Sequence, residues 1–330
     1  MSEPLDPRWI DQRLKERSKD RRAKRLAKLS PNVKIIDASE FPIAINALAR
    51  TLINKLEREG HTIASLPDNG LEICTILRQV AHTYNLIQFI NADDTRFENY
   101  GYRSAFSFVS LPLVRTMIDG LYNCTAMLND PPSARRYKIS GFFRMRETLQ
   151  ANEAAYAGKP EWVEALRFQR SSYESGLRIN GISTAELDNK KNKWLLLGDY
   201  LQGADTPHKR MLRKLTLGFW REYSSISHAS FDGLTSIFPF IMGHDLPVQH
   251  HERLDEATER ALAMHVFRAA GLLMCLVTEI QHFCKFEGAN IDQRLADTWA
   301  SMLEIYEIEE LYELRYRSLL KQSILSRSPS

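Results

Sequence analysis

Cysteine is scarce in this chain, long apolar runs are absent, and the charge balance is nearly even. Four cysteines occur in 330 residues, Cys74, Cys124, Cys275 and Cys284, with no C-x-x-C among them. That is too few for a disulfide-stapled secreted scaffold, and each lies in an apolar helical setting, where a free thiol behaves as a small buried hydrophobe. Cys275, His282 and Cys284 form the only local cluster of metal-type ligands, and their spacing fits no standard zinc site, so no metal is expected. No stretch reaches the roughly 18 to 20 continuous apolar residues of a membrane span. The best run, Ala269 to Ile280, is flanked or interrupted by Arg268, Glu279 and His282. The first residues are charged and lack the apolar core of a secretory signal, so the expectation is a cytoplasmic protein with no membrane association. Walker loops, G-x-G-x-x-G and H-E-x-x-H do not occur, and no alternating strands with glycine-rich turns are visible. A nucleotide-binding α/β fold is therefore not expected, nor is any cofactor.

What is present is helical. The hydrophobic content of 44% is enough to fill a core, and the formal charge is only +3. The charge is uneven, however. From about Arg8 to Leu29 the chain is dense in Lys and Arg, including Arg21, Arg22, Lys24 and Arg25, until Ser30-Pro31-Asn32 breaks it. Residues 1–34 read as a basic arm or solvated helix. It is either a solubilising tail or, through Arg21, Arg22, Lys24 and Arg25, a phosphate-tracking segment that gains affinity for nucleic acid by counterion release.

Residues 35–322 read as one all-α domain, a multi-helix bundle, and 323–330 as a disordered tail. Ile45, Leu48, Ala49, Leu52, Ile53 and Leu56 repeat at helical spacing before Gly60, and a second helix starts after Gly70 with Leu71, Cys74, Leu77, Val80, Ala81, Tyr84 and Ile87. The run from Gly101 to Leu128 is apolar on most sides, which predicts a central helix, kinked where Pro112 removes a backbone donor. Asp130-Pro131-Pro132-Ser133 opens a fourth helix to about Tyr156, Glu161 to about Ile179 a fifth, and the polar stretch Ser183 to Lys193 is the candidate for an excursion from the helical core or for a mobile connection. Thr206 to His228 predicts another helix, Phe231 to Met242 an irregular apolar segment containing Pro239, Arg253 to Phe286 a long helix, and Asp292 to Lys321 an amphipathic acidic one.

The segment Trp220-Arg221-Glu222-Tyr223-Ser224-Ser225-Ile226-Ser227-His228 carries the chemistry that stands out. Arg221 and His228 are seven apart, two helical turns, and so share a face. Tyr223 with Ser227, and Ser224 with His228, are one turn apart. On a continuous helix a cation, an imidazole and hydroxyls would line one polar strip. Arg can grip a phosphodiester and stabilise its developing charge. A histidine, with an ordinary pKa of about 6.5, can exchange a proton with an RNA 2′-hydroxyl or the leaving oxygen. A rival pair, Arg260 and His265, is five apart and points to different faces, with His265 on the apolar stripe as a core histidine. Arg115 and Asp119 sit one turn apart within the apolar third helix, where a buried charge needs a partner.

Arg115-Thr-Met-Ile-Asp119 together with Tyr223-Ser-Ser-Ile-Ser-His228 resembles a group of bacterial helical proteins that are in turn similar to the HEPN superfamily. The resemblance covers about Gly101 to Phe286. It implies a compact helical HEPN-like core and a metal-independent endoribonuclease of a toxin or antiphage-defence type, working as a homodimer on RNA. It further implies Arg221 and His228 as the R-x(4–6)-H catalytic pair, with Arg115, Asp119, Tyr223, Ser224 and Ser227 supporting them. Catalytic members commonly have Asn, Asp or His after the Arg. Here Glu222 stands there, a carboxylate that would repel a phosphate.

Three readings follow from these residues. One is an endoribonuclease acting through Arg221 and His228. The second is a noncatalytic helical interaction protein that binds nucleic acid. The third makes Arg115, Asp119, Arg221 and His228 one internal polar network that fixes helix registry.

Overall fold

The computed structural model describes residues 41–60, 70–91, 110–228, 230–241, 251–288, 290–303 and 306–320. The basic arm with Arg21, Arg22, Lys24 and Arg25, and the tail 323–330, lie outside the described residues. Among the described residues the structure is helical, with no strand, as the periodicity predicts. They divide into two compact units. The first comprises described residues of 1–124 and 205–330, and the second is Thr125–Ala204.

In the first unit, α1 (Phe41–Glu59) and α2 (Gly70–Asn91) pack as an antiparallel pair whose stripes Ile45, Leu48, Leu52 and Ile73, Leu77, Ile87 are fully buried. Leu71 is an exception to the expected stripe and is exposed. The helix α3 (Leu111–Asn129) starts at Leu111, so Pro112 falls in the first turn and does not kink it. The missing N–H costs nothing there, because first-turn donors have no intrahelical acceptor. α3 approaches α2 at Gly120, where a Cβ would lie 2.7 Å from Val80 Cγ2.

The central helix of this unit is the later α11 (His251–Cys284), not α3. Every residue from Arg268 to Gln281 is buried, and α11 packs on α1, α2 and α12 (Ile291–Met302). By length and composition Ala261–Cys284 is apolar enough to cross a membrane, despite the charges that interrupt it, and most of it is buried inside its unit. Two charged side chains on α11 meet partners within the core. Glu279 receives a two-pronged bond from Arg315, Nε to Oε1 at 2.6 Å and a terminal nitrogen to Oε2 at 2.8 Å. Bidentate geometry is what lets a buried pair offset its desolvation. Arg315 lies on a π-helical turn, Tyr312–Tyr316, that follows α13 (Tyr306–Leu311), so the expected single helix from Asp292 to Lys321 is several pieces. Trp299 of α12 stacks on Tyr316 and donates its indole N–H to Thr278 Oγ1 at 2.9 Å.

The cysteines behave as small hydrophobes. Cys74, Cys124 and Cys275 are buried and Cys284 is half-buried, all as free thiols. Burial pushes the Cys275 and Cys284 thiols up to about 12, which keeps them as unreactive thiols at neutral pH.

The second unit is built on α4 (Pro131–Ala155) and α5 (Val163–Ile179), which form a helical hairpin. Its own small core is Ile139, Leu149, Tyr173, Ile182 and Leu187, with Phe142, Phe143 and Leu177 packed on it. The polar passage after Gly181 is not a loose excursion. Ser183 and Glu186 close a capping box on α6 (Thr184–Asp188), and Arg135 of α4 bonds both Glu186 and the carbonyls of Asn180 and Gly181. These bonds hold the Glu186 carboxyl down to about 2, the Ser183 backbone N–H contributing most and Arg135 next. α7 (Leu197–Tyr200) closes the unit.

Candidate functional site

Three consecutive pieces carry the candidate residues, all in the first unit. They are α8 (Pro207–Leu215), a π-helical turn Thr216–Trp220, and α9 (Arg221–Ser227). The sequence predicted one plain helix here. The π turn is a local register shift of a kind often found at functional sites, and it feeds directly into Arg221.

Around α9 the residues divide by face. Tyr223 is fully buried, and Ser224 and Ile226 are buried beside it. Arg221 and His228 are exposed. The seven-residue spacing puts these two within about 20° of each other around the axis. Neither side chain makes a hydrogen bond or ion pair with another described residue.

The hydroxyls do not join that strip. Tyr223 points inward, its oxygen 2.7 Å from Nδ1 of His265, and Arg268 donates to the same oxygen at 3.2 Å. Ser227 donates to the Tyr223 carbonyl at 2.6 Å and Ser225 to the Glu222 carbonyl at 2.9 Å. Ser230 donates both its N–H and its hydroxyl to the Ser225 carbonyl. These back-bonds occupy the carbonyls of the last turn of α9 and end it at His228, whose N–H still reaches the Ser224 carbonyl. The serine-rich run is thus explained by helix termination.

The chain then reverses into α10 (Phe231–Ile241), which runs on through position 239 with no break at the proline. Gly233 makes the reversal tight. A Cβ there would lie 2.5 Å from the Ser225 carbonyl oxygen and 2.7 Å from the Ile226 nitrogen. Only the absence of a side chain allows the two backbones to touch.

Two flanking helices hold the inner side of this segment. From α3, Arg115 lies 3.7 Å from Asp119 and stacks over the Trp220 ring at 5.0 Å. Burial raises the Asp119 carboxyl, while the Arg115 guanidinium and the Trp220 indole pull it back. Trp220 Nε1 and Arg115 Nε are buried and, among the described residues, meet no acceptor in full hydrogen-bond geometry. From α11, Arg268 reaches Glu222 Oε2 at 2.9 Å and lies over the Phe219 ring at 4.6 Å.

The structure therefore brings Arg115 and Asp119 against Trp220, next to Arg221, and leaves Arg221 and His228 facing solvent. The internal network of Arg115, Asp119, Arg221 and His228 does not form, because its last two members are exposed. His265 of the rival pair is buried, at 4% exposure. Reading the sequence missed Arg268, Phe219 and Gly233. The available signal was Arg268 itself, a charge set in the otherwise apolar stripe of α11, which requires a partner. Among the described residues no group of three or more His, Cys, Asp or Glu is arranged to hold a metal ion. Compared with known protein families, curated proteins and solved structures, the chain matches none.

Proposed function

We propose that this protein cleaves RNA through Arg221 and His228, as a metal-independent endoribonuclease of the toxin or antiphage-defence type with a HEPN-like core, active as a homodimer in the cytoplasm. The observation that carries the reading is selective availability. Glu222, Tyr223, Ser225 and Ser227 are all engaged in holding α9, whereas Arg221 and His228 share its exposed outer face and make no hydrogen bond or ion pair among the described residues.

The chemistry suits these two groups. The Arg221 guanidinium holds the non-bridging phosphate oxygens and stabilises the charge that grows on them during attack. Neutral His228 takes the proton of the 2′-hydroxyl as its oxygen bonds to phosphorus. The bond from phosphorus to the 5′-oxygen breaks, and the same imidazole returns the proton to that oxygen. The products are a 2′,3′-cyclic phosphate and a free 5′-hydroxyl. Incubating total RNA in chelator with wild type and with His228→Ala tests this. Cleavage by wild type alone supports it, and intact RNA in both tubes sinks it.

A second reading rests on the engagement of the hydroxyls. Among the described residues of α9 the outer strip then offers Arg221 and His228 without a neighbouring hydroxyl, which also fits a noncatalytic protein that binds RNA by its phosphates, with the basic arm as a second contact. Binding without cleavage, weakened by Arg221→Ala and by removal of residues 1–34, would identify that case.

A further inference from the structure

The residue after Arg221 is a carboxylate, and an isolated carboxylate there would oppose a phosphate held by Arg221. In this structure Glu222 is not isolated. Arg268, itself 7% exposed, lies 2.9 Å from a Glu222 carboxylate that is 39% exposed. The same guanidinium covers the Phe219 ring at 4.6 Å and donates to the Tyr223 hydroxyl at 3.2 Å. It thus grips positions 219, 222 and 223, which lie on one face across the junction between the π turn and α9. That grip presents Glu222 to α11 and leaves the opposite side, with Arg221 and His228, to solvent.

We infer that Arg268 is a positioning residue for the Arg221–His228 strip, cancelling the charge of Glu222 so that an RNA phosphate can dock on Arg221. The inference rests on the RNA reading of that strip and extends it to a residue on a different helix. Its logic is a charge balance. The pair is neutral, so removing either partner leaves one net charge within about two residue-widths of the docking phosphate. A unit charge at that range, in the screened medium of a protein surface, changes binding by roughly threefold to tenfold. Removing both restores neutrality.

The test is binding of a fluorescein-labelled single-stranded RNA, followed by anisotropy at low salt, for the full chain and four variants. Arg221→Ala reports on the strip and should bind at least tenfold more weakly. Arg268→Gln, which keeps a donor for Tyr223 but loses the charge, should bind roughly fivefold more weakly. Glu222→Gln should bind at least twofold more tightly, and the double variant should return to within twofold of wild type. A purely structural role for Arg268 would not be rescued by a second substitution at Glu222.

Unchanged binding by Arg268→Gln, or a loss that Glu222→Gln does not repair, overturns the inference while leaving the RNA reading intact if Arg221→Ala is impaired. Unchanged binding by Arg221→Ala overturns both. Should Arg268→Gln fail to fold, Glu222→Gln alone decides, since the half-exposed position tolerates an amide. Binding no tighter than wild type then means that the strip does not sense the charge of the pair, and the inference falls.

Discussion

The Tyr223 hydroxyl and Nδ1 of His265 lie 2.7 Å apart, although 42 residues separate them in sequence. Both side chains are buried, at 0% and 4% exposure, and Arg268 donates to the same phenol oxygen. The bond between Tyr223 and His265 ties α9 to α11 behind the exposed strip. Tyr223→Phe removes it while keeping the ring, together with the bond from Arg268, and should cost about 1 to 3 kcal/mol. Urea unfolding should show a lower midpoint with an unchanged slope. An unchanged midpoint would mean that the bond contributes nothing to the fold.

Gly233 is predicted to be intolerant where a nearby glycine is not. Gly233→Ala drives a methyl into the backbone of Ser225 and Ile226, which cannot yield as a flexible side chain would. It should cost more than about 2 kcal/mol and loosen the reversal after His228. Gly218, in the π turn, has open space around its missing Cβ. Gly218→Ala should be neutral or stabilise by up to about 1 kcal/mol. Thermal melts of the two variants side by side make the comparison, and equal melting temperatures would contradict it.

The buried pair of Arg315 and Glu279 gives a third expectation. Arg315→Met takes the bidentate partner of Glu279 out of the core, at a cost of roughly 3 to 5 kcal/mol. Adding Glu279→Leu removes the carboxylate as well, so the double variant should be more stable than Arg315→Met. Denaturant midpoints for the pair of proteins check the order, and additive losses would contradict it.

His282, on the last turn of α11, carries a pH dependence. Burial lowers its imidazole pKa below 6.5, helped by Arg315 and Lys285 and opposed by Glu279. The unfolded chain therefore takes up this proton at higher pH than the folded one. The contribution of neutral His282 to stability is complete above pH 6.5 and is lost as pH falls from there through the lowered folded value. Unfolding midpoints of wild type and His282→Gln measured from pH 8 to pH 5 should differ by an amount that changes only below about 6.5. A constant difference across that range would rule the linkage out.

How much was legible in the sequence varied with the range of the interaction. The starts and ends of α1, α4 and α11 followed from local apolar spacing and breakers, which act within a few residues. The Arg115–Asp119 pair, one turn apart, was equally visible. A kink at Pro112 was expected of a helix running from Gly101, whereas α3 starts at Leu111 and the proline falls in its first turn; residues 101–109 lie outside the described residues. Ser183 and Glu186 had the spacing of a capping box, yet the polar composition around them suggested a loop. The partner of Glu222 was not legible at all, since Arg268 is 46 residues away and only packing of α11 against α9 brings it near. For the same reason Tyr223 was placed on the outer strip, when a buried histidine on another helix holds it inside.

The most direct measurement is cleavage of a 5′-labelled single-stranded RNA in chelator by wild type, Arg221→Ala, His228→Ala and the double variant. The account predicts cleavage with 2′,3′-cyclic phosphate ends for wild type. Each single variant should lose at least about a hundredfold in rate, and the double should be no slower than the worse single, because the two groups act as a unit. Equal cleavage by wild type and His228→Ala, or none by any of the four, would contradict it.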